Sequence, residues 1–125
     1  MKSIKIFVEK HEVVISLRNT ETARAVWDAC PFKSRVALWG KEIYFDTAID
    51  VEKEKDAKQI IKKGEIVFWV EGQSIAIGFG PTPISVGEEI KLVTTANIFG
   101  DSSYELSKLS DVGAGALVRV EKIIN

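Results

Sequence analysis

This chain has few groups that could do chemistry, with one histidine, His11, and one cysteine, Cys30, among 125 residues. Metal sites need clustered His, Cys or carboxylate ligands, and these two residues stand far apart, so no metal or cofactor motif is offered. A cupin-like barrel would need several histidines on adjacent strands, and they are missing. A Ser-His-Asp or Cys-His nucleophile would have to recruit His11, which no elbow motif accompanies. His11 lies in the polar run Glu9-Lys10-His11-Glu12 and reads as a solvent-exposed turn residue. Cys30 falls on the apolar stripe of a helix and reads as a small buried hydrophobe. Gly78-x-Gly80 imitates a phosphate loop, but Pro81 and Pro83 delete two backbone donors and no helical pattern follows.

What remains is an aromatic and polar set at strand ends: Trp39, Glu42, Tyr44, Trp69, Gln73, Phe79, Thr82 and Asn97. Each aromatic taken alone reads as core. Position makes the case for a groove, because Trp69 precedes the turn Glu71-Gly72-Gln73 and Phe79 precedes Gly80-Pro81-Thr82-Pro83. Rigid scaffolds carry binding groups on loops at strand ends. The expected ligand-binding set is therefore Trp39, Tyr44, Trp69, Gln73, Phe79, Thr82 and Asn97. In it, the prolines stiffen a wall beside Phe79, Thr82 offers a hydroxyl, and Gln73 and Asn97 orient the ligand. The competing reading is that the prolines only end a strand and guard its edge. Glu42 and Asp46 would make a carboxylate pair, yet on sequence alone both read as solvated surface acids.

The elements that position this set follow from periodicity. Ile4, Ile6 and Val8 alternate, as do Val13, Ile15 and Leu17, which predicts an antiparallel hairpin. One helix is expected over about residues 20 to 30, capped by Asn19 or Thr20 and ended by Pro31, with Ala23, Val26, Trp27 and Cys30 on one face. Short strands are expected at 36–39 and 42–45, joined through Gly40-Lys41. Central strands follow at 66–70 and 75–79, apolar at nearly every position, as in strands covered on both faces. Further strands fall at 89–94 and 116–123, with a less regular segment around Asn97-Ile98-Phe99-Gly100-Asp101. The charged stretch 50–63 reads as an exposed loop holding a strand or one helical turn. About eight strands and one helix predict a mainly β fold, a closed eight-stranded antiparallel barrel with one packed α-helix.

Composition sets the bounds. The length suits one domain, residues 1–125, with a core that needs neither disulfide nor metal. A net charge of −1 and scattered Lys and Arg disfavour nucleic acid and anionic membrane as partners. No apolar run approaches the roughly 20 residues of a membrane span. Nothing at the start resembles a signal peptide, and the default location is cytoplasmic.

Several pieces together resemble the small prokaryotic cyclophilin-like family, whose function is largely undefined. They are Asn19-x-x-Thr22-Ala23, Pro31-Phe32, Trp39-Gly40-x-Glu42-Ile43-Tyr44-Phe45, Gly64-Glu65-Ile66-x-x-Trp69, Gly72, Phe79-Gly80-Pro81-Thr82-Pro83 and Asn97-Ile98-x-Gly100. The resemblance covers nearly the whole chain and implies an eight-stranded barrel related to the peptidyl-prolyl isomerases called cyclophilins. The catalytic pattern of those isomerases does not carry over: there is no Phe-His-Arg, the only Met is Met1, and His11 is in the wrong context. Isomerisation needs only an apolar pocket and a donor to lower a barrier of about 18–20 kcal/mol, and Arg18 is the one arginine to consider for it. Two functions stay open. One is a barrel that binds a small molecule or short peptide in an aromatic groove without cofactor. The alternative is an atypical peptidyl-prolyl cis-trans isomerase using the same groove. A structural subunit, forming a homo-oligomer through an exposed strand edge, is the third.

Overall fold

The computed structural model describes residues 2–124; Met1 and Asn125 lie outside the described residues. The first hairpin is β1 (Ser3–Val8) and β2 (His11–Leu17), turned at Glu9, whose φ is 51°. Alternation sends Ile4, Ile6, Val8, Val13, Ile15 and Leu17 into one core. Helix α1 (Glu21–Ala29) follows, and Thr20 is the cap: its hydroxyl accepts the Ala23 N–H at 3.0 Å. Ala23, Val26 and Cys30 enter the core as expected. Trp27 does not; it is half-buried, with Lys2 Nζ 4.7 Å and Lys122 Nζ 5.1 Å from its ring centroid.

The remaining strands are β3 (Phe32–Arg35), β4 (Ala37–Leu38), β5 (Glu42–Asp46), β6 (Lys58–Ile61), β7 (Glu65–Trp69), β8 (Ser74–Gly78), β9 (Ile90–Asp101) and β10 (Leu117–Ile123). Nine of the ten strands form one antiparallel ladder in the order β3-β10-β1-β2-β9-β7-β8-β5-β4. Its two ends, β3 and β4, are successive pieces of the same chain separated only by Val36, which brings the barrel nearly to closure. Ser34 on β3 stitches the seam, donating to the Asp46 carbonyl on β5 at 2.7 Å. The fold is thus mainly β with one α-helix, as expected, although nine strands rather than eight make the ladder.

The tenth strand, β6, lies in the charged stretch and pairs only with β9. Strand β9 is longer than its sequence suggests. Its second half, from Asn97 to Asp101, pairs with β7 in the barrel, whereas its first half pairs with β6 from Ile90 to Ala96. A bulge between Ile66 and Val67 interrupts the β7–β9 pairing, where Ile66 faces Gly100 and Val67 faces Ile98. The β6–β9 ribbon therefore forms a flap over the outer face of the barrel. A second, smaller apolar cluster fills the space beneath it: Ile61, Val67, Ala76, Ile90, Leu92, Ala96 and Ile98, with Tyr44 at its edge.

A 3-10 helix, Leu106–Asp111, buries Leu106 and Leu109 and has no counterpart in the sequence reading. It explains His11. That side chain is 2% exposed rather than a solvated turn residue, and it bonds the Tyr104 hydroxyl at 2.7 Å and the Asp111 carboxylate at 2.6 Å. Lys10 also pairs with Asp111 at 2.9 Å, and the two partners hold the Asp111 carboxyl below its usual range. This cluster clamps the helical turn to the first hairpin.

Candidate functional site

Outward positions on four neighbouring strands build the site. Tyr44 on β5 faces Ala76 on β8, which faces Val67 on β7, which faces Ile98 on β9. Inward positions of the same strands, Ile43, Phe45, Ile66, Phe68, Ile75 and Ile77, fill the barrel. On β8 the outward residues are Ser74, Ala76 and Gly78, all small, and they leave a trough between larger neighbours. A cavity of about 120 Å³ occupies it, lined by Trp39, Glu42, Tyr44, Val67, Trp69, Ala76, Leu92, Val93, Thr94 and Ala96. Apolar cavities of roughly 150 Å³ hold benzene, so this one suits a single small ring.

Its walls are aromatic. Tyr44 and Trp69 meet edge to face, 6.1 Å apart with planes at 84°. The Trp69 ring lies across Gly72: a Cβ there would fall 2.3 Å from two ring carbons, so only glycine leaves room for this indole position. Trp39 and Glu42 flank the turn at Gly40, whose φ is 60°, closed by the Trp39 N–H donating to the Glu42 carbonyl at 3.0 Å.

Two polar atoms in this lining have no partner, Glu42 Oε1 and Trp69 Nε1. Glu42 is 7% exposed, a buried acid rather than the solvated one the sequence suggests. Its strand partner is Gly78, and Ile90 fills the place of the missing side chain. With no cation to offset desolvation, burial pushes the Glu42 carboxyl up to about 7. A carboxyl near 7 takes or gives a proton at neutral pH, and an unpaired indole N–H donates a hydrogen bond.

Of the sequence-derived set, Trp39, Tyr44 and Trp69 meet in this cavity; Gln73, Phe79, Thr82 and Asn97 lie outside it. Phe79 points inward and joins the barrel core. Thr82 is buried, with its hydroxyl bonded to the Lys91 carbonyl and 3.1 Å from Ser85 Oγ. Gln73 takes the turn position with φ 47° and reaches the Ile49 carbonyl at 3.2 Å. Asn97 accepts the Glu54 N–H at 2.8 Å and donates to Thr22 Oγ1 at 3.0 Å and the Glu52 carbonyl at 2.9 Å, fixing the 50s loop beside α1. Each of these four has a packing or bonding task of its own. Glu42, Val67, Ala76, Leu92, Val93, Thr94 and Ala96 complete the lining instead, and the alternation of small Ser74, Ala76 and Gly78 with Ile75, Ile77 and Phe79 is the sequence signal for the trough.

Elsewhere, Arg18 forms a fork onto Asp101 at 2.8 and 2.7 Å and reaches Glu65 at 3.3 Å. It is raised by these bonds and engaged away from the cavity. Burial pushes the Cys30 thiol up to about 11, which leaves it protonated and unreactive. Among the described residues no group of three or more His, Cys, Asp or Glu could hold a metal ion, and no helix is long and apolar enough to cross a membrane. Two larger depressions, about 670 Å³ beside β3 and about 540 Å³ beside Trp27, contain no buried polar atom without a partner.

A nearly closed antiparallel barrel with an aromatic trough on its outer face, below a two-stranded flap, defines a barrel of the cyclophilin-like class. The family described as Cyclophilin-like matches residues 2–121, and the chain belongs to it. The solution structure of the hypothetical protein AF2241 from Archaeoglobus fulgidus is similar at 35% identity and a TM-score of 0.84, covering 98% of this chain and 95% of that one. McbB, solved in complex with tryptophan, shares the fold at 17% identity and a TM-score of 0.64, covering 94% of this chain and 44% of that one. No curated protein matches.

Proposed function

We propose that this protein is a binding barrel that takes one small, flat molecule in the cavity between Trp39, Tyr44 and Trp69. The observation that carries this reading is the pair of unpartnered polar atoms, Glu42 Oε1 and Trp69 Nε1, in a mostly apolar lining. Buried polar groups left unpaired cost roughly 1–3 kcal/mol each. A fold keeps such groups where a ligand completes them, and a few polar atoms in an aromatic pocket are the usual composition of a small-molecule site.

A prolyl isomerase would need a cation or strong donor over the amide nitrogen, and no arginine lines the cavity. Binding without isomerisation is the reading the residues favour. Amide NMR with indole, phenol and N-acetylprolinamide as probes tests it. The indole N–H resonances of Trp39 and Trp69 should move together on titration, with those of Trp27 unmoved, and exchange of an X-Pro test peptide should stay at its uncatalysed rate. The reading fails if no probe at millimolar concentration moves either resonance, and accelerated X-Pro exchange would replace it with the isomerase.

A further inference from the structure

The chemistry of the ligand can be argued one step further, resting on the reading that this cavity is a ligand site. We propose that the ligand is a compact organic cation, an amidinium- or ammonium-bearing ring, with its N–H groups on Glu42 and its body against Trp39, Tyr44 and Trp69. Charge inventory comes first. Among the ten lining residues Glu42 is the only one with a formal charge to offer, and no Lys, Arg or His stands with it. A carboxylate held in an apolar pocket is stable only against an opposite charge, and the protein supplies none. The partner must come with the ligand.

Geometry agrees. Glu42 Oε1 has no donor within the protein although the side chain is more than nine-tenths buried, so an acceptor waits in the cavity. Three aromatic side chains line the same cavity as Glu42, two of them set edge to face. Aromatic faces carry negative potential, and a cavity that combines several rings with one carboxylate has the chemistry that selects organic cations. The unpartnered Trp69 N–H can in addition donate to an acceptor atom where the ligand carries one.

The ionisable groups near Glu42 are few. Tyr44 shares its strand, Lys41 lies in the adjoining turn with its chain packed over Gly80, Lys58 pairs opposite Ala96, and Lys91 precedes Leu92 on the flap. None of them alters Glu42, whose carboxyl is raised by burial alone to about 7. Binding a cation therefore requires the carboxylate, whose population rises about tenfold between pH 6 and pH 8 for a group titrating near 7. A neutral ligand accepting from the protonated acid would show the opposite slope.

Calorimetric titration of benzamidine, benzamide and benzoate at pH 6 and pH 8 separates these cases, since the three are nearly isosteric and carry charge of +1, 0 and −1. Benzamidine should bind tightest at pH 8 and roughly tenfold more weakly at pH 6. Glu42→Gln, checked for the wild-type far-UV spectrum, should lose both the preference and the pH dependence. Tighter binding of benzamide or benzoate at pH 8, or an affinity for benzamidine that does not change with pH, overturns the cation while leaving a ligand site. Silence from all three at millimolar concentration overturns the site as well. A Glu42→Gln variant that misfolds leaves the wild-type pH slope and the ranking of the three probes to decide.

Discussion

Glu42→Gln exchanges a buried carboxyl that can ionise for an amide of the same shape that cannot, and its effect on stability can be worked out from the fold. In the folded chain this carboxyl is raised by burial from its ordinary 4.5 to about 7. Below 4.5 it is protonated whether the chain is folded or not, and its ionisation contributes nothing to stability. As pH rises from 4.5 toward 7 the unfolded chain gives up its proton first, so stability falls. Above 7 both states are ionised and the loss levels off. At about 1.4 kcal/mol per pH unit, the gap between 4.5 and about 7 amounts to about 3 kcal/mol.

The sign is the opposite of the usual salt-bridged acid, whose contribution appears as pH rises. Urea denaturation of both proteins at about pH 4 and pH 8, followed by far-UV circular dichroism, measures it. All other groups titrate alike in the two chains and cancel in the difference. Relative to wild type, Glu42→Gln should gain about 3 kcal/mol on going from the acid to the alkaline condition. A difference between the two proteins that stays within about 0.5 kcal/mol across that range would mean that Glu42 is solvated or paired, and the burial argument fails with it.

Three further substitutions test the packing described above. Gly72→Ala should push the Trp69 indole aside and cost about 1–3 kcal/mol by overpacking, seen as a lower denaturation midpoint with a shifted tryptophan emission. Asn97→Ala removes a buried amide that serves Thr22, Glu52 and Glu54; a loss of about 2–3 kcal/mol is expected, with faster hydrogen exchange at Glu54. Trp27→Ala should cost about 2 kcal/mol, short of the 3–5 of a fully buried tryptophan, because Trp27 lies half-buried between Lys2 and Lys122.

Period-two alternation made the first hairpin legible, and Ala23, Val26 and Cys30 made the helix face legible, because burial on one side of an element leaves a mark at fixed spacing. The flap left no such mark. Ile60 and Ile61 are too short a run amid lysines to show a period, and β6 gains its place only by pairing with a distant strand. The same limit hid the state of His11 and Glu42. Both belong to polar stretches in sequence and are buried by elements far along the chain, His11 by the turn carrying Tyr104 and Asp111 and Glu42 by the strand carrying Gly78 and by Ile90 beside it. Residue type predicts exposure only where the neighbours in space are also neighbours in sequence.

The segment Gly80-Pro81-Thr82-Pro83 shows how a motif can shape a cavity without lining it. Pro81 accepts the Lys41 N–H at 3.0 Å, and the Phe79 N–H donates back to the Lys41 carbonyl at 2.8 Å, so the strand exit is tied to the β4–β5 turn. That turn fits because Gly40 has no side chain: a Cβ would lie 2.8 Å from Pro83 Cδ and 2.9 Å from Thr82 Cα. Thr82 in turn anchors the start of the flap through the Lys91 carbonyl and Ser85. The two prolines limit the freedom of this loop before any contact forms, which lowers the entropy lost in holding it. What it holds is the turn between Trp39 and Glu42 on one side and the strand bearing Leu92 to Ala96 on the other, both borders of the cavity. Rigidity read from the prolines is therefore used one layer behind the wall. The aromatic and acidic side chains in front keep their places because the backbone that carries them is fixed from the rear.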